Sequence, residues 1–312
     1  MMKKILLITG IIVIFVSYCI ITELYFPFLY PFKHSALWQN NDISSLEIGN
    51  QPIDASQIVK SQLQFSDGSH RRILIYLPKG YDQSNKNVRY PTYYLLHGSP
   101  DDETGWIVGG RIKENLDKYI DEKKIPPLIV VLPDGNGGLL NDSQYIDSTD
   151  GRQQTETFIA KILVDYIDSQ LNTMPDSKHR VIGGLSSGGF GAINIGLKHQ
   201  DRFGYIQSFS GYTNIEINSA SQKLIQHSRG TVWANSPRLY LKNLNRKDAK
   251  VFLAVGKSDG YYNDNITFNQ MLISQGFSSD LYTDDGWHTW IYWSKYFLKG
   301  LDILNANWQK NT

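Results

Sequence analysis

Hydrophobic and polar positions change rhythm repeatedly along this chain, and each rhythm predicts an element. From residue 57, "SQLQFS" and "HRRILIYLP" alternate or run apolar over short lengths on either side of "DGS", which predicts a hairpin. Further short apolar runs predict strands at "PTYYLLHGS" (91–99), "PLIVVLPDG" (127–135), "HRVIGGL" (179–185), "YIQSFSG" (205–211), "KVFLAVG" (250–256) and "SSDLYTDDG" (278–286). Between them the spacing turns helical, at 111–125, 156–171, 189–200, 264–276 and 288–304. In the second of these helices Phe158, Ile162, Leu163 and Tyr166 are expected on one face. A hairpin followed by alternating strands and helices predicts an α/β fold with a mostly parallel central sheet flanked by helices. Active residues of such sheets lie on loops beyond the carboxyl ends of the strands.

The first residues break this pattern. After "MMKK" come eighteen uncharged residues, "ILLITGIIVIFVSYCIIT" (5–22), ended by Glu23. At about 1.5 Å per residue they reach about 27 Å, enough to cross a bilayer core. The preceding lysines favour a cytoplasmic start and export of the rest. Residues 1–25 are therefore expected to be a signal-anchor transmembrane helix at the cell membrane, with an extracytoplasmic catalytic domain. Secretion after signal cleavage is the alternative. Residues 26–56 mix aromatics, prolines and polar residues without a period and are expected to be a juxtamembrane linker; residues 57–312 form the domain.

Composition narrows the chemistry. Of 312 residues, 41% are hydrophobic and 20% charged, and the net charge is +1. That balance suits a globular protein and gives no nucleic-acid footprint. Cys19 is the single cysteine, so no disulfide framework forms within one chain; HExxH is absent, and no metal or organic cofactor is expected.

"GGLSSGGFGA" (183–192) sits between a predicted strand and a predicted helix, which a flexible linker would not. Within it Gly184-Leu185-Ser186-Ser187-Gly188 fits G-x-S-x-G, a strained elbow that lifts its serine to the edge of the sheet. Placing Ser187 at the centre would put Leu185 where the turn is crowded, so Ser186 is the expected nucleophile. The N–H of Ser187 then faces the oxyanion. A serine hydroxyl needs a base, and in this fold an acid and then a histidine follow it in the chain. Of His199, His227 and His288, only His288 follows a strand in a loop able to return to the elbow. Asp259 directly follows "VFLAVG" and is the expected acid; Asp264 reads as a helix cap, Asp284 and Asp285 as a solvated turn. Gly98 and Ser99, beyond the first parallel strand, are expected to supply a second oxyanion donor, with His97 packed beneath that loop. The segment 211–247 is expected to shape the pocket, and Trp106, Trp233, Trp287 and Trp290 are candidates to stack on a sugar or an aromatic acyl group.

Together "YLLHGSPDDETGW", "VVLPDG", "GGLSSGGFGA", "GKSDG" and "GWHTWIYW" resemble, in order and spacing, the esterase D-like family of α/β hydrolases. Feruloyl and acetyl xylan esterases, siderophore esterases, S-formylglutathione hydrolases and mycolyltransferases belong to it. The resemblance spans roughly residues 58–300. It implies an α/β-hydrolase fold, a serine carboxylesterase, and Ser186, Asp259 and His288 as nucleophile, acid and base, the assignment reached from the residues themselves. Ser187 departs from the methionine many relatives carry there, but only its backbone is needed. The expected partner is a small-molecule or carbohydrate ester; an acyltransferase or a non-catalytic glycan-binding surface protein are the alternatives.

Overall fold

The computed structural model describes residues 48, 51–64, 70–136, 142–217, 219–226 and 228–309. The expected anchor, 1–25, lies outside them; among the described residues no helix is long and apolar enough to cross a membrane.

Among the described residues eight strands form one sheet: β1 (Gln57–Gln64), β2 (His70–Leu77), β3 (Thr92–Leu96), β4 (Ile129–Pro133), β5 (Arg180–Leu185), β6 (Tyr205–Phe209), β7 (Lys250–Ala254) and β8 (Ser278–Tyr282). Their spatial order is β1-β2-β4-β3-β5-β6-β7-β8. β1 and β2 pair antiparallel, as do β2 and β4. All later pairs are parallel.

Parallel strands buried on both faces should be apolar at successive positions, and β3, β4, β5 and β6 are buried throughout. Alternate residues serve opposite faces. Ile73, Ile75, Tyr94 and Leu96 join one core, and Leu74, Tyr76, Tyr93 and Leu95 the other. Nine helices, besides two short 3-10 turns (Ser177–His179 and Leu241–Asn243), surround the sheet among the described residues. α1 (Gly105–Val108), α2 (Ile112–Asp121) and α9 (Trp290–Gln309) bring apolar residues to the second core. The first core is covered by α4 (Ser187–Lys198), α8 (Tyr262–Ser274) and α3, a composite of an α turn (Thr155–Thr157), a π-helical stretch (Phe158–Leu163) and an α segment (Val164–Gln170). Three short helices, α5 (Ser219–Ile225), α6 (Arg229–Ala234) and α7 (Pro237–Tyr240), fill the connection between β6 and β7.

The π-helical stretch corrects the expected face of α3. Phe158 and Leu163 are buried, but Ile159, Val164 and Ile167 share the core with them, while Ile162 is 41% exposed. A π turn closes its hydrogen bond one residue later than an α turn, so residues after it rotate away from a 3.6-residue frame. The segment before β1 is tied to the domain: Ile53 exchanges backbone hydrogen bonds with Gly80 and Tyr81, and Ile48 and Ile53 pack on the first core.

The chain leaves β3 for β4 on one side and returns to β5 on the other. This reversal places the loops after β3 and β5 side by side, where open α/β sheets form ligand crevices.

Candidate active site

At the end of β5 the backbone of Ser186 has φ +52° and ψ −119°, then α4 begins at Ser187. A positive φ is costly for a residue with a Cβ, so the turn depends on its neighbours to hold it. They can approach because two glycines leave room. A Cβ on Gly184 would lie 2.5 Å from the Gly188 carbonyl oxygen, and one on Gly188 would lie 2.4 Å from that of His97. The Ser186 amide is fixed by the Phe209 carbonyl at 2.9 Å.

The structure brings three predicted residues together. Ser186 Oγ lies 3.0 Å from His288 Nε2, and His288 Nδ1 lies 2.9 Å from Asp259 Oδ2. The Asp259 side chain is fully buried and the His288 side chain 36% exposed, so the imidazole reaches both solvent and an enclosed anion. Burial alone would raise the Asp259 pKa. Hydrogen bonding and charge from His288 outweigh it, aided by the Tyr261 backbone N–H and the Ser210 hydroxyl, and hold the carboxyl below its usual range. This order of groups can take a proton from a hydroxyl and stabilise the charge left on the ring.

The other candidate acids, and the histidines His199 and His97, are engaged elsewhere. Asp264 bonds Thr213 and Arg238, Asp284 pairs with Lys295, and Asp285 with Lys257. His199 contacts Glu156 at 2.9 Å; His227 lies outside the described residues. The His97 ring is buried, with Nδ1 donating to the Gly98 carbonyl and Nε2 accepting from the Gly135 N–H. With both nitrogens occupied, it props the β3 loop. Gly98 comes close to Ser186: a Cβ there would stand 3.4 Å from that of the serine. Ser99 is exposed beside it, and Ser187 opens α4, whose first-turn N–H groups have no partner within the helix.

Two predicted pocket residues are not at the surface. Trp106 is 1% exposed, donates its Nε1–H to the Leu96 carbonyl at 2.9 Å and packs edge-on against Trp290, itself 3% exposed. Both belong to the second core and offer no face to a ligand. Trp287 is 68% and Trp233 44% exposed.

The sequence reading missed the residues that hold the imidazole. Trp293 meets the His288 ring perpendicularly at 4.9 Å, and Tyr261 packs against it at 5.6 Å. Trp293 Nε1–H donates to Ser210 Oγ at 3.0 Å, and the Tyr261 N–H donates to Asp259 Oδ1 at 3.0 Å. Tyr261 also donates its hydroxyl to Glu216 at 2.6 Å; burial and then that carboxylate push the phenol well above its ordinary pKa. Their positions, Tyr261 two after Asp259 and Trp293 five after His288, are the only signal the sequence offered.

A family model described as "Putative esterase" matches residues 66–303. An acetyl esterase of Caldicellulosiruptor saccharolyticus is 25% identical over 72% of this chain and 86% of its own length. An endo-1,4-beta-xylanase/feruloyl esterase of Xylanibacter ruminicola is 34% identical over 52% of this chain, which spans only 22% of that larger protein. Among solved structures, a ferulic acid esterase superposes with a TM-score of 0.72 at 27% identity, covering 81% of this chain and 98% of its own. A Staphylococcus aureus S-formylglutathione hydrolase, at 21% identity and a TM-score of 0.65, shares the fold. The chain belongs to this "Putative esterase" family and is a serine hydrolase acting on ester bonds.

Proposed function

We propose that the protein is a membrane-tethered, extracytoplasmic carboxylesterase working through an acyl-enzyme. His288 Nε2 takes the Ser186 proton as Oγ adds to the ester carbonyl carbon. The backbone N–H groups of Ser187 and the Gly98–Ser99 loop receive the resulting oxyanion. The intermediate collapses, the C–O bond to the alcohol breaks, and the imidazolium returns its proton to the departing alkoxide. Water then repeats the sequence, releasing the acid and restoring Ser186. Asp259 keeps Nδ1 protonated and offsets the ring's positive charge. The carrying observation is the continuous contact from Ser186 Oγ through the imidazole to Asp259, built on a strained turn.

Acetyl and feruloyl esters of carbohydrates are the substrate class suggested by the relatives' names. Tethering rests on the uncharged run 5–22 behind two lysines.

A fluorophosphonate probe tests the proposal directly. The full-length protein should be labelled covalently and Ser186→Ala should not; labelling that survives the substitution overturns the assignment. Release of acetate or ferulate should vanish with the label. Transfer to an added alcohol in preference to water would move the reading to an acyltransferase.

A further inference from the structure

The connection between β6 and β7 has a charge pattern unlike the rest of the chain. Residues 217–247 contain Lys223, Arg229, Arg238, Lys242, Arg246 and Lys247 and no Asp or Glu, in a protein whose net charge is +1. Arg238 pairs with Asp264 and Arg246 with Asp248. Lys223, Arg229 and Lys242 are exposed and make no ion pair among the described residues. The same segment carries large exposed apolar side chains: Ile217 is 61% exposed, Trp233 and Leu239 44% each. They line an open groove of 340 Å³ together with Ile225, Val232 and Arg229.

We infer that this basic, apolar face docks on the surface of an anionic lipid bilayer. Charge complementarity selects the occupant: cations beside exposed Trp, Ile and Leu are what an interfacial segment presents to acidic headgroups and the acyl boundary beneath them. A neutral protein partner would leave the cations unmatched, and a purely ionic polymer would leave the apolar groove open. Asp264 is matched by Arg238 and Asp248 by Arg246, while Glu216 at the edge of the segment accepts from the neutral Tyr261 hydroxyl and keeps its charge, so the segment stays net basic with Lys223, Arg229, Lys242 and Lys247 against that one carboxylate.

Docking also bears on the site. Ile217 follows Glu216, which accepts the hydroxyl of Tyr261, whose ring packs on His288. Seating this face on the bilayer brings the rim of the crevice to the surface and favours esters held there. The inference uses from the proposed function only the tethering to a membrane, and its readout does not depend on ester hydrolysis.

The full-length chain is reconstituted into vesicles of brominated phosphatidylcholine, with or without about one-third phosphatidylglycerol, and tryptophan fluorescence is compared with that of Trp233→Phe. The Trp233-dependent share should be quenched in the anionic vesicles. It should fall several-fold in 0.5 M salt, where screening shortens to a few ångströms, and be lost in Lys223→Glu/Arg229→Glu. That double variant should keep the parent's far-ultraviolet circular dichroism and melting temperature, showing it is folded. Equal quenching in neutral vesicles, or no Trp233-dependent quenching in anionic ones, overturns the inference. Flotation with neutral vesicles reports the tether separately, so its failure and the failure of docking are distinguishable.

Discussion

In the proposed mechanism His288 must accept and then return a proton, which free rotation would defeat, and its ring is held from two sides. Trp293 and Tyr261 pack on its ring, and each is also bound into the surroundings of Asp259, one through Ser210 and the other through its own backbone. The carboxylate and the aromatic pair therefore act differently. Asp259→Asn should lower kcat by about 10³–10⁴ with little change in KM, because an amide stabilises neither the needed tautomer nor the cation. Trp293→Phe keeps an aromatic ring against the imidazole but removes the donor to Ser210. Its kcat should fall by about tenfold, one hydrogen bond's worth, at unchanged KM. A loss of melting temperature with kcat intact would mean that Trp293 only fills the core.

Elements, rather than residues, must bring these groups together, and the ties between elements can be tested. Glu156, in the first turn of α3, accepts from Lys198 and His199 at the end of α4, clamping the elbow helix at the end far from Ser186. Burial raises the Glu156 pKa, but the hydrogen bond from His199 and the charge of Lys198 outweigh it, and the net pKa lies below the ordinary value. The unfolded chain therefore takes up this proton first as pH falls. The contribution to stability is full above about pH 4.3 and drains as acid approaches the folded-state pKa. Glu156→Gln should cost about 2 kcal/mol at neutral pH, and urea denaturation should show the gap from the parent closing below about pH 4. A gap that persisted at low pH would place the cost in packing instead.

The hairpin, the parallel strands and the helices after them were legible in the sequence because each buries a periodic set of side chains. Ser186, Asp259 and His288 were legible because each follows a strand, and the fold aims strand ends at one crevice. The turn inside α3 was not: nothing in "FIAKIL" distinguishes a π from an α turn before tertiary packing chooses. Trp106 and Trp290 were misassigned because a tryptophan fills a core or walls a pocket with the same side chain, and only burial separates the two. The glycines before and after Ser186 divide by role. Gly184 and Gly188 serve the elbow, but Gly183, one residue earlier, serves the interior of the whole molecule.

Across that interior, Tyr93 of β3 reaches over β5 to Gln207 of β6, donating its hydroxyl to Oε1 at 2.8 Å. Gln207 Nε2 in turn donates to the Gly300 carbonyl of α9 at 3.0 Å. β3 and β6 are not neighbours, so the bridge must cross β5. It crosses above Gly183, where a Cβ would stand 2.3 Å from the Tyr93 hydroxyl. Gly300 is constrained at the far end, where a Cβ would stand 2.5 Å from Gln207 Oε1. Gly183→Ala and Gly300→Ala should each cost about 1–3 kcal/mol through overpacking, lowering Tm by about 2–4 °C per kcal/mol for a domain of this size. The polar pair behaves differently. Gln207→Leu alone strands a buried phenol and should cost about 1–3 kcal/mol, while adding Tyr93→Phe removes the stranded group and should recover part of the loss. Thermal unfolding of the two single variants and the double variant measures the coupling. Strictly additive losses would show that the bridge contributes no net stability and that Gly183 is retained for packing alone.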